Sequence, residues 1–300
     1  MNINMLVDTD DDSGFYAAAT STATGWRGAT VSRSNDGGTT WVFAGTLYSL
    51  SVAGTCTTAL GNYLGGNTPD ELNSVTVSLT SGALASVSYA AFISNAQVAI
   101  IGDEIVSFRS ATLNLDGTYT VRGLLRGRRG SEYAIASHAI GDRFLVVDTA
   151  TMIRVADTTA SIGLSRLYRA VSSGLTTGNS QSFTNIGSGL KPYSVVQIGG
   201  GRYVDGAVLI TWVRRTRTSG EWRDGIEVPL GETSEAYEVD IWNAGRTSLL
   251  RTITGITSTN VTYSAVQQVA DFGTLQSTIA ISIFQLSSVI GRGYEARADV

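Results

Sequence analysis

Cysteine and histidine are almost absent from this 300-residue sequence, which has one of each, Cys56 and His138. A single cysteine cannot form an intramolecular disulfide, which excludes a disulfide-stabilised module and a zinc cluster built from several cysteines. A single histidine excludes metal sites that use two histidines. His138 could serve in a Ser–His–Asp triad, but no G-x-S-x-G motif accompanies it, so a structural role is favoured.

Charge is also scarce. Asp, Glu, Lys and Arg make up 15% of the residues, against roughly 25% in an average globular chain. The formal net charge is −4, so there is no global basic field to attract nucleic acid, and we expect no stable nucleic-acid binding. A neutral surface of this kind is typical of a protein covered by protein neighbours.

Long apolar runs are missing as well. The sequence has no uninterrupted apolar run long enough for a transmembrane helix, so no transmembrane segment is expected. Residues 1–12, MNINMLVDTDDD, lack the basic and apolar regions of a signal peptide. We therefore expect the chain to be made in a cytoplasm and to remain there or enter an assembly.

Short strand-like runs separated by turn residues account for most of the sequence. Residues 35–38, NDGG, indicate a hairpin because Asn, Asp and Gly tolerate positive φ. Residues 74–79, SVTVSL, alternate as a half-buried strand does. Strands and helices do not alternate, which disfavours a parallel α/β sheet. We predict an all-β protein.

The composition divides the chain into three predicted parts. Residues 1–150 form a β-rich domain, and residues 151–200 form an irregular connecting segment. Residues 201–300 contain enough short strands for a fibronectin type III-like β-sandwich. Residues 199–206, GGGRYVDG, are interpreted as a linker and hinge. Residues 264–273 are the best helix candidate, which ends at Gly273.

Four arginines, Arg122, Arg126, Arg128 and Arg129, lie within a short, glycine-rich stretch. A guanidinium group is a planar fork that matches carboxylates and phosphates. Ion pairing with a neighbouring subunit is the favoured interpretation, so these residues are the predicted assembly interface. DNA binding is less favoured because no aromatic stacking platform accompanies the arginines. A plain solvated surface is the third interpretation.

An acidic turn near the start of the chain invites a calcium interpretation. Asp8, Asp10 and Asp12 alternate as at the start of a cation-binding loop. The EF-hand template, however, requires glycine and glutamate where Ser13 and Ala19 stand. A plain acidic turn, or a partner for nearby arginines, is favoured, and neither a metal nor a cofactor is predicted.

Residues 34–41, SNDGGTTW, match the Asp-box pattern S-x-D-x-G-x-T-W, which resembles the hairpins of sialidase-like propellers. A propeller needs several repeats, and none recur here. We therefore predict a single stabilised turn, in which Asp36 caps backbone N–H groups and Trp41 packs beneath it.

The last third of the chain contains residues that could bind a sugar or form a glycosidase pair. Trp222 and Arg223 are the candidate receptor contact, because an exposed tryptophan can stack on a sugar. Trp212 is expected in the core of the sandwich. Glu232 and Glu235 could form a glycosidase pair, but they precede a strand and a solvated loop is favoured.

Several sequence blocks together resemble one family, the C-terminal part of the large tail-tip hub or host-specificity protein of long-tailed phages and gene transfer agents. The most distinctive blocks are DTDDDSGFY, GWRGATVSRSND, EIVSFRSA, WVRRTRTSGEWRDGIEVPLGETSEAYEVDI and QLSSVIGRGYEARADV, together with the arginine-rich stretch. They extend over nearly the whole chain.

The resemblance implies an N-terminal β-barrel-like hub domain followed by the fibronectin-like sandwich. It also implies a homotrimer at the distal end of the virion tail, made in the cytoplasm of the bacterial host. Implied partners are the distal tail protein, hub proteins, the tape measure, a central fibre and the host surface. Family members are longer, so the tube-closing part is expected either on a separate chain or in a reduced form.

Three functions compete on this evidence. The leading one is a structural virion protein of the tail tip or baseplate, which organises the distal end of the tail and supports host attachment. The alternative is a receptor-binding module for a carbohydrate or a surface protein. An enzyme is disfavoured because no catalytic constellation is evident in the sequence.

Overall fold

The structure is a computed structural model that describes residues 1–221 and 224–300. It divides the chain into two compact units. Unit 1 comprises Met1–Leu6 and Asp12–Gly189, and unit 2 comprises Val7–Asp11 and Leu190–Val300. Strands dominate both units, which confirms the prediction of an all-β protein. None of the helices in the described ranges has the length and apolar character needed to span a bilayer.

The regular structure of unit 1 is mostly strand, with one α-helix, α1 (Tyr89–Ile93), and short 3-10 helices that include Arg128–Gly130 and Glu132–Ala134. The strands are β1 (Phe15–Ala18), β2 (Ala29–Ser34), β3 (Val42–Leu47), β4 (Ala53–Cys56), β5 (Asp70–Ser81), β6 (Val98–Ile101), β7 (Glu104–Leu113), β8 (Tyr119–Leu125), β9 (Arg143–Val146), β10 (Met152–Val155), β11 (Ser165–Ser172) and β12 (Ser180–Thr184).

Six of these strands close into a barrel in the order β4-β5-β8-β7-β6-β9. Side chains alternate between the two faces of each strand, so every second residue enters the interior. The interior is filled by apolar side chains that are fully buried, among them Val75, Val77, Ile101, Phe108, Val121 and Phe144. The barrel therefore has a packed core, and the expectation of a barrel-like domain in the first half of the chain is confirmed.

Two smaller sheets complete unit 1. One is four-stranded with the order β12-β11-β2-β3, and the other pairs β1 with β10. Tyr16 of β1 and Met152 of β10 pack with Ile100 and Leu145, in a second apolar cluster distinct from the barrel interior. This cluster holds the two-stranded sheet against the barrel.

The prediction of an irregular connection over residues 151–200 is wrong. β10, β11 and β12 lie in this interval, and β11 is an interior strand of the four-stranded sheet. β11 pairs with β2, which comes far earlier in the chain. Most of the β11 side chains are half-buried, so the alternation of buried and exposed residues that marks a strand is weak. The neighbouring residues in the sequence also give no sign that β11 pairs with β2.

Unit 2 is a sandwich of two sheets. Its strands are β13 (Val196–Arg202), β14 (Val208–Val213), β15 (Tyr237–Trp242), β16 (Leu249–Ile256), β17 (Asn260–Tyr263), β18 (Ala280–Ser287), β19 (Gly291–Arg292) and β20 (Ala296–Asp299). One sheet has the order β13-β14-β17, and the other has the order β16-β15-β18, with β19 and β20 both paired to β18. This strand order is that of a fibronectin III-like sandwich.

The core of the sandwich draws on both sheets. Ile210 and Trp212 of β14 pack in the same buried cluster as Val239 of β15 and Ile281 of β18. The ring of Trp212 meets that of Tyr237 edge-on at 5.1 Å between centroids, a favourable arrangement for aromatic pairs. The expectation that Trp212 packs in the core is confirmed.

The predicted linker at residues 199–206 is instead a hairpin. β13 ends at Arg202 and β14 begins at Val208, and the Gly206 N–H donates to the Tyr203 carbonyl at 3.0 Å across the turn. The glycines of β13 lie within a paired strand. Glycine runs are common in flexible linkers, but Gly199, Gly200 and Gly201 here pair with β14 in an antiparallel ladder.

The predicted helix at residues 264–273 is present as α2 (Ala265–Phe272). Ser264 and Gln267 form a capping box, which satisfies two backbone donors at the first turn. Gly273 ends the helix with a left-handed φ of 79°, a conformation that glycine adopts without steric cost.

The Asp-box turn joins β2 to β3. The Asp36 carboxylate accepts hydrogen bonds from the Thr40 backbone N–H at 2.9 Å and the Thr40 hydroxyl at 2.6 Å, and the Trp41 indole donates to the Gly38 carbonyl at 3.1 Å. The bonds from Thr40 and Ser34 lower the pKa of Asp36 to about 2. The structural interpretation of this motif, in which Asp36 caps the turn, is confirmed.

We expect Gly54→Ala to destabilise the barrel. A Cβ at this position would lie 2.0 Å from the Ser78 carbonyl oxygen and 2.7 Å from the Leu79 Cα, both backbone atoms of β5. Overpacking of this kind costs about 1–3 kcal/mol or more. Urea unfolding followed by circular dichroism measures the loss.

Thr55→Ala, in the same strand at an exposed position, is the matched control and should change the free energy of unfolding by about 1 kcal/mol at most. Equal unfolding midpoints for the two variants would contradict the close approach of β4 to β5.

Candidate functional site: a buried charge cluster behind the arginine-rich loop

Five ionisable side chains meet at one end of the barrel. Asp70 begins β5, Glu104 begins β7, and Arg126 directly follows β8. His138 and Asp142 lie between the Glu132–Ala134 turn and β9. We call these five residues the charge cluster. The Asp70, Glu104 and Arg126 side chains are 0% exposed and His138 is 1% exposed.

Arg126 is the centre of the cluster. Its Nε and Nη2 donate to the two oxygens of Glu104, both at 2.9 Å, in a bidentate pair. Its Nη1 donates to Asp70 Oδ2 at 3.0 Å and to the Gly61 carbonyl at 2.9 Å. Burial of a charged group is tolerable only when its hydrogen bonds are made, and Arg126 meets that condition.

His138 joins the cluster to Asp142. Its Nε2 lies 2.6 Å from Glu104 Oε2, and its Nδ1 lies 3.0 Å from Asp142 Oδ2. Both ring nitrogens therefore face carboxylate oxygens. Burial by itself lowers the pKa of His138, but the hydrogen bonds that its ring donates to Glu104 and Asp142 outweigh this effect, so the pKa is raised. A protonated ring can donate to both carboxylates.

The two buried carboxylates stay ionised for related reasons. Burial raises the pKa of Glu104, but hydrogen bonds from His138 and Arg126 bring it below the ordinary value. Burial also raises the pKa of Asp70, and hydrogen bonds from Asn73 and Arg126 reverse the effect. Hydrogen bonds within the cluster thus offset the effect of burial on the pKa values of Asp70, Glu104 and His138.

Glu104 also holds the start of the arginine-rich loop, residues 127–131. The Gly127 N–H donates to Glu104 Oε1 at 2.6 Å. Gly127 has a φ of 57°, and a Cβ there would lie 2.7 Å from the Glu132 Cγ. The loop continues through Arg129, also left-handed at φ 52°. A side-chain amide of Asn4 donates to the Arg129 carbonyl at 2.7 Å. The loop backbone is therefore fixed by specific bonds.

The four arginines of the predicted interface separate into different environments. Arg126 is buried at 3% exposure, and its assignment to an assembly interface is wrong. Arg122 and Arg129 are exposed, and Arg128 is half-buried, with its Nε donating to Asn95 Oδ1 at 3.2 Å. The spacing of the glycines does not show which arginine is buried, because the partners of Arg126 come from β5 and β7, which are distant in the sequence.

The cluster is arranged to hold structure. With both ring nitrogens against carboxylates, His138 has no position left from which to activate a nucleophile. The nearby Cys56 thiol is buried, and burial and Asp142 raise its pKa to about 12. A thiol with this pKa stays protonated at neutral pH and is a poor nucleophile. The prediction of a structural role for His138 agrees with these contacts.

The acidic turn pairs with arginines, as the favoured interpretation proposed. In unit 1, Asp12 Oδ1 lies 2.5 Å from Arg154 Nη2. In unit 2, Asp8 Oδ2 accepts a hydrogen bond from the Ser219 N–H at 2.6 Å, and Asp10 lies with Asp8 in a 3-10 helix. Across residues 1–221 and 224–300, no group of three His, Cys, Asp or Glu is placed to hold a metal ion.

A second buried ion pair lies in unit 2. Arg217 Nε lies 2.9 Å from Glu232 Oε1, and both side chains are 6% exposed. Arg217 Nη1 lies 2.5 Å from Asp11 Oδ1. The expectation that Glu232 lies in a solvated loop is wrong, because its side chain is buried in an ion pair with Arg217. Glu235 accepts a hydrogen bond from the Tyr237 hydroxyl at 2.9 Å. The candidate receptor contact, Trp222 and Arg223, lies outside the described residues.

The chain was compared with protein families, curated proteins and solved structures, and the family match falls on the barrel. The model of a family described as "Rcc01698-like, C-terminal" matches residues 51–145, an interval that contains β4 to β8 and most of β9. No curated protein matches the chain. Among solved structures, the crystal structure of the chicken CNTN1 FN1–FN3 domains is similar at 8% identity and a TM-score of 0.25, over 96% of this chain and 97% of that chain.

We expect Arg126→Met to destabilise unit 1 severely. The change keeps most of the side-chain volume but leaves Asp70 buried without its cation and Glu104 with His138 alone, and the loss of one partner of a buried ion pair typically costs about 3–5 kcal/mol. Arg122→Met, at an exposed position of β8, should change the free energy of unfolding by about 0.5 kcal/mol at most. Chemical denaturation of both variants tests the difference, and similar losses would show that the cluster does not carry this part of the fold.

His138 should make stability depend on pH. Because its pKa is raised in the folded state, its contribution is fully present below its unfolded pKa of about 6.5. The contribution is lost as the pH rises through the folded-state value. His138→Gln removes the titration, so the stability advantage of the wild type over this variant should shrink as the pH rises above about 6.5.

The comparison uses urea unfolding of both proteins from acid to alkaline pH. Groups that do not contact His138 titrate alike in the two proteins and cancel in the difference, and the difference is read above about pH 6.5, where carboxylates are ionised in both. A stability difference that is constant with pH, or that grows as the pH rises, would contradict the raised pKa of His138.

Proposed function

We propose that this chain is a structural component of a phage tail tip or baseplate, where it organises the distal end of the tail and supports host attachment. The sequence blocks that resemble the tail-tip hub family support the proposal over nearly the whole chain. The all-β architecture, with a barrel followed by a sandwich, agrees with what that resemblance implies.

The observation that carries the proposal is the fixed arginine-rich loop. The charge cluster anchors Gly127 through Glu104, while Arg128 and Arg129 follow at the surface. A surface whose backbone is already ordered loses less conformational freedom on association. Guanidinium groups are enriched at interfaces because they form bidentate pairs with carboxylates. The loop is suited to contact acidic groups on a neighbouring subunit.

A non-catalytic role fits the chemistry of the described residues. Histidine and cysteine often act as catalytic residues, but both ring nitrogens of His138 face carboxylates, and the raised pKa of Cys56 keeps its thiol protonated. We propose a virion protein without bond-making chemistry and without a cofactor.

The proposed assembly is a homotrimer that contacts other tail-tip proteins. Rotational symmetry of this kind places one patch of each copy against a different patch of the next. The arginines of one copy would then meet a carboxylate surface of its neighbour, or of the distal tail or hub proteins. The scarcity of charge in the whole sequence agrees with a surface that is largely covered by such contacts.

The double variant Arg128→Glu, Arg129→Glu should assemble poorly while remaining folded. Charge reversal at two loop positions turns attraction for a carboxylate surface into repulsion, which lowers association. Analytical ultracentrifugation of the purified chain and recovery in purified tails measure assembly, and the melting temperature measures folding.

Arg27→Glu, at an exposed position outside the loop, is the control for charge reversal at a surface arginine, and each single variant, Arg128→Glu or Arg129→Glu, matches its change of net charge. Normal oligomers and tails from the double variant would count against the loop as an interface. A strictly monomeric wild-type chain that never associates with tails would count against the proposed function itself.

Receptor binding is the second candidate function. It is favoured by a groove in unit 1 whose lining combines aromatic, amide, hydroxyl and guanidinium groups. A saturable cell-binding assay with the full chain tests this candidate, and binding by intact tails alone would place the receptor site elsewhere.

A further inference from the structure

A groove of about 800 Å³ lies within unit 1, between the outer wall of the barrel and the four-stranded sheet. Its volume lies in the range of small-molecule sites, about 300–1,000 Å³. Residues of β4, β5 and β9 line it on the barrel side, and residues of β2, β11 and β12 line it on the sheet side, with β1 contributing Phe15–Ala18. None of this lining belongs to the charge cluster.

The groove has polar rims and an apolar floor. Thr55, Thr80 and Arg143 line it from the barrel, and Asn179 and Gln181 line it from the region of the edge strand β12. The lining between them is largely apolar and includes the buried residues Phe15, Val31, Leu47, Leu145 and Val155. Such a surface suits a ligand that has apolar faces and polar edges.

Aromatic rings form one end of this floor. The Phe15 ring lies 5.3 Å from that of Tyr168 and 4.6 Å from that of Phe183, between centroids. Phe15 is buried, whereas Tyr168 and Phe183 are half-buried. The trio is held together by its own packing, and two of its rings still have accessible surface. Sugar rings have apolar C–H faces and hydroxyl edges, which match this combination of rings and rims.

The charge of the groove is positive. Its described lining includes Arg143 and Arg169 but no Asp or Glu. The Arg169 guanidinium stacks on Trp41 at 4.0 Å, which orients it, whereas Arg143 lies on the barrel side of the groove. Arg143 Nη2 donates to the Gly102 carbonyl and lies 3.5 Å from the exposed Asp103. The Arg143 side chain is nevertheless 40% exposed, and a guanidinium group forms charge-assisted hydrogen bonds with carboxylates.

We propose that this groove is a binding site for an acidic oligosaccharide, with a carboxylate of the sugar at Arg143 and a ring face against Tyr168 and Phe183. Asn179 and Gln181 supply amide donors and acceptors for the hydroxyl edges. The inference rests on the receptor-binding candidate and names its ligand class. It also moves the site away from Trp222 and Arg223, where sequence reasoning had placed it.

Isothermal titration of the purified full chain with a trimer of galacturonic acid, and with the matching neutral trimer of galactose, tests the site. We expect the acidic trimer to bind at least about tenfold more tightly, because a charge-assisted hydrogen bond is about twice as strong as a neutral one. Salt should weaken binding of the acidic trimer and leave that of the neutral one nearly unchanged.

Two sets of variants locate the site. Arg143→Met removes the guanidinium and should abolish the preference for the acidic trimer, while Arg122→Met, an exposed arginine that does not line the groove, should retain it. Gln181 is exposed on an edge strand, so its replacement does not threaten folding. Gln181→Lys should tighten binding of the acidic trimer and Gln181→Glu should weaken it.

Equal affinity for the two trimers would overturn the carboxylate assignment, and absence of binding by either trimer would overturn the saccharide site. Preference for the acidic trimer that survives both Arg143→Met and Gln181→Glu would place binding outside the groove. These measurements use the isolated protein and do not depend on tails. If neither trimer binds but the protein associates normally with tails, the saccharide site is wrong and the structural role is retained. If the acidic trimer binds but the protein does not associate with tails, the saccharide site is retained and the structural role is wrong.

Discussion

Arg126 ties together chain segments that are distant in sequence. Its guanidinium links the start of β5 through Asp70, the start of β7 through Glu104, and the loop before β5 through the Gly61 carbonyl. Removing this charge from water costs several kcal/mol, so the arrangement holds only because nearly every donor is paired. A buried network of this type fixes the positions of its members more reliably than it stabilises the fold. Here it fixes the end of the barrel and the arginine-rich loop.

The loop inherits its conformation from this network. Gly127 is bonded to Glu104 and adopts a left-handed backbone, and Arg129 adopts the same region without being a glycine. Left-handed backbone is unfavourable for a residue with a Cβ and persists only where the surroundings impose it. The charge cluster and Asn4 supply those surroundings. A buried arginine thus determines how its exposed neighbours are presented, which links the core of the barrel to the proposed assembly surface.

Features with a local cause could be predicted from the sequence, and features with a distant cause could not. The turn at residues 35–38 and the end of α2 at Gly273 follow from the backbone preferences of Asn, Asp and Gly. The sequence alone does not separate Arg126 from three arginines that reach the surface, because its carboxylate partners come from other strands. The strands β10 to β12 are difficult to predict for the same reason: β10 pairs with β1 and β11 with β2, both from the start of the chain, and β12 pairs with β11.

The groove shows why a site of this kind escapes sequence analysis. Its barrel wall comes from residues 53–145, whereas its other wall is completed by β11 and β12, from the interval that was expected to be irregular. No short motif carries it, because each strand contributes at most four residues to the lining and the cavity exists only after distant strands pair. The charge of the assembled lining is informative in such a case. The described lining holds two arginines, Arg143 and Arg169, and no Asp or Glu, which favours an anionic ligand over a neutral one because opposite charges attract across a binding surface.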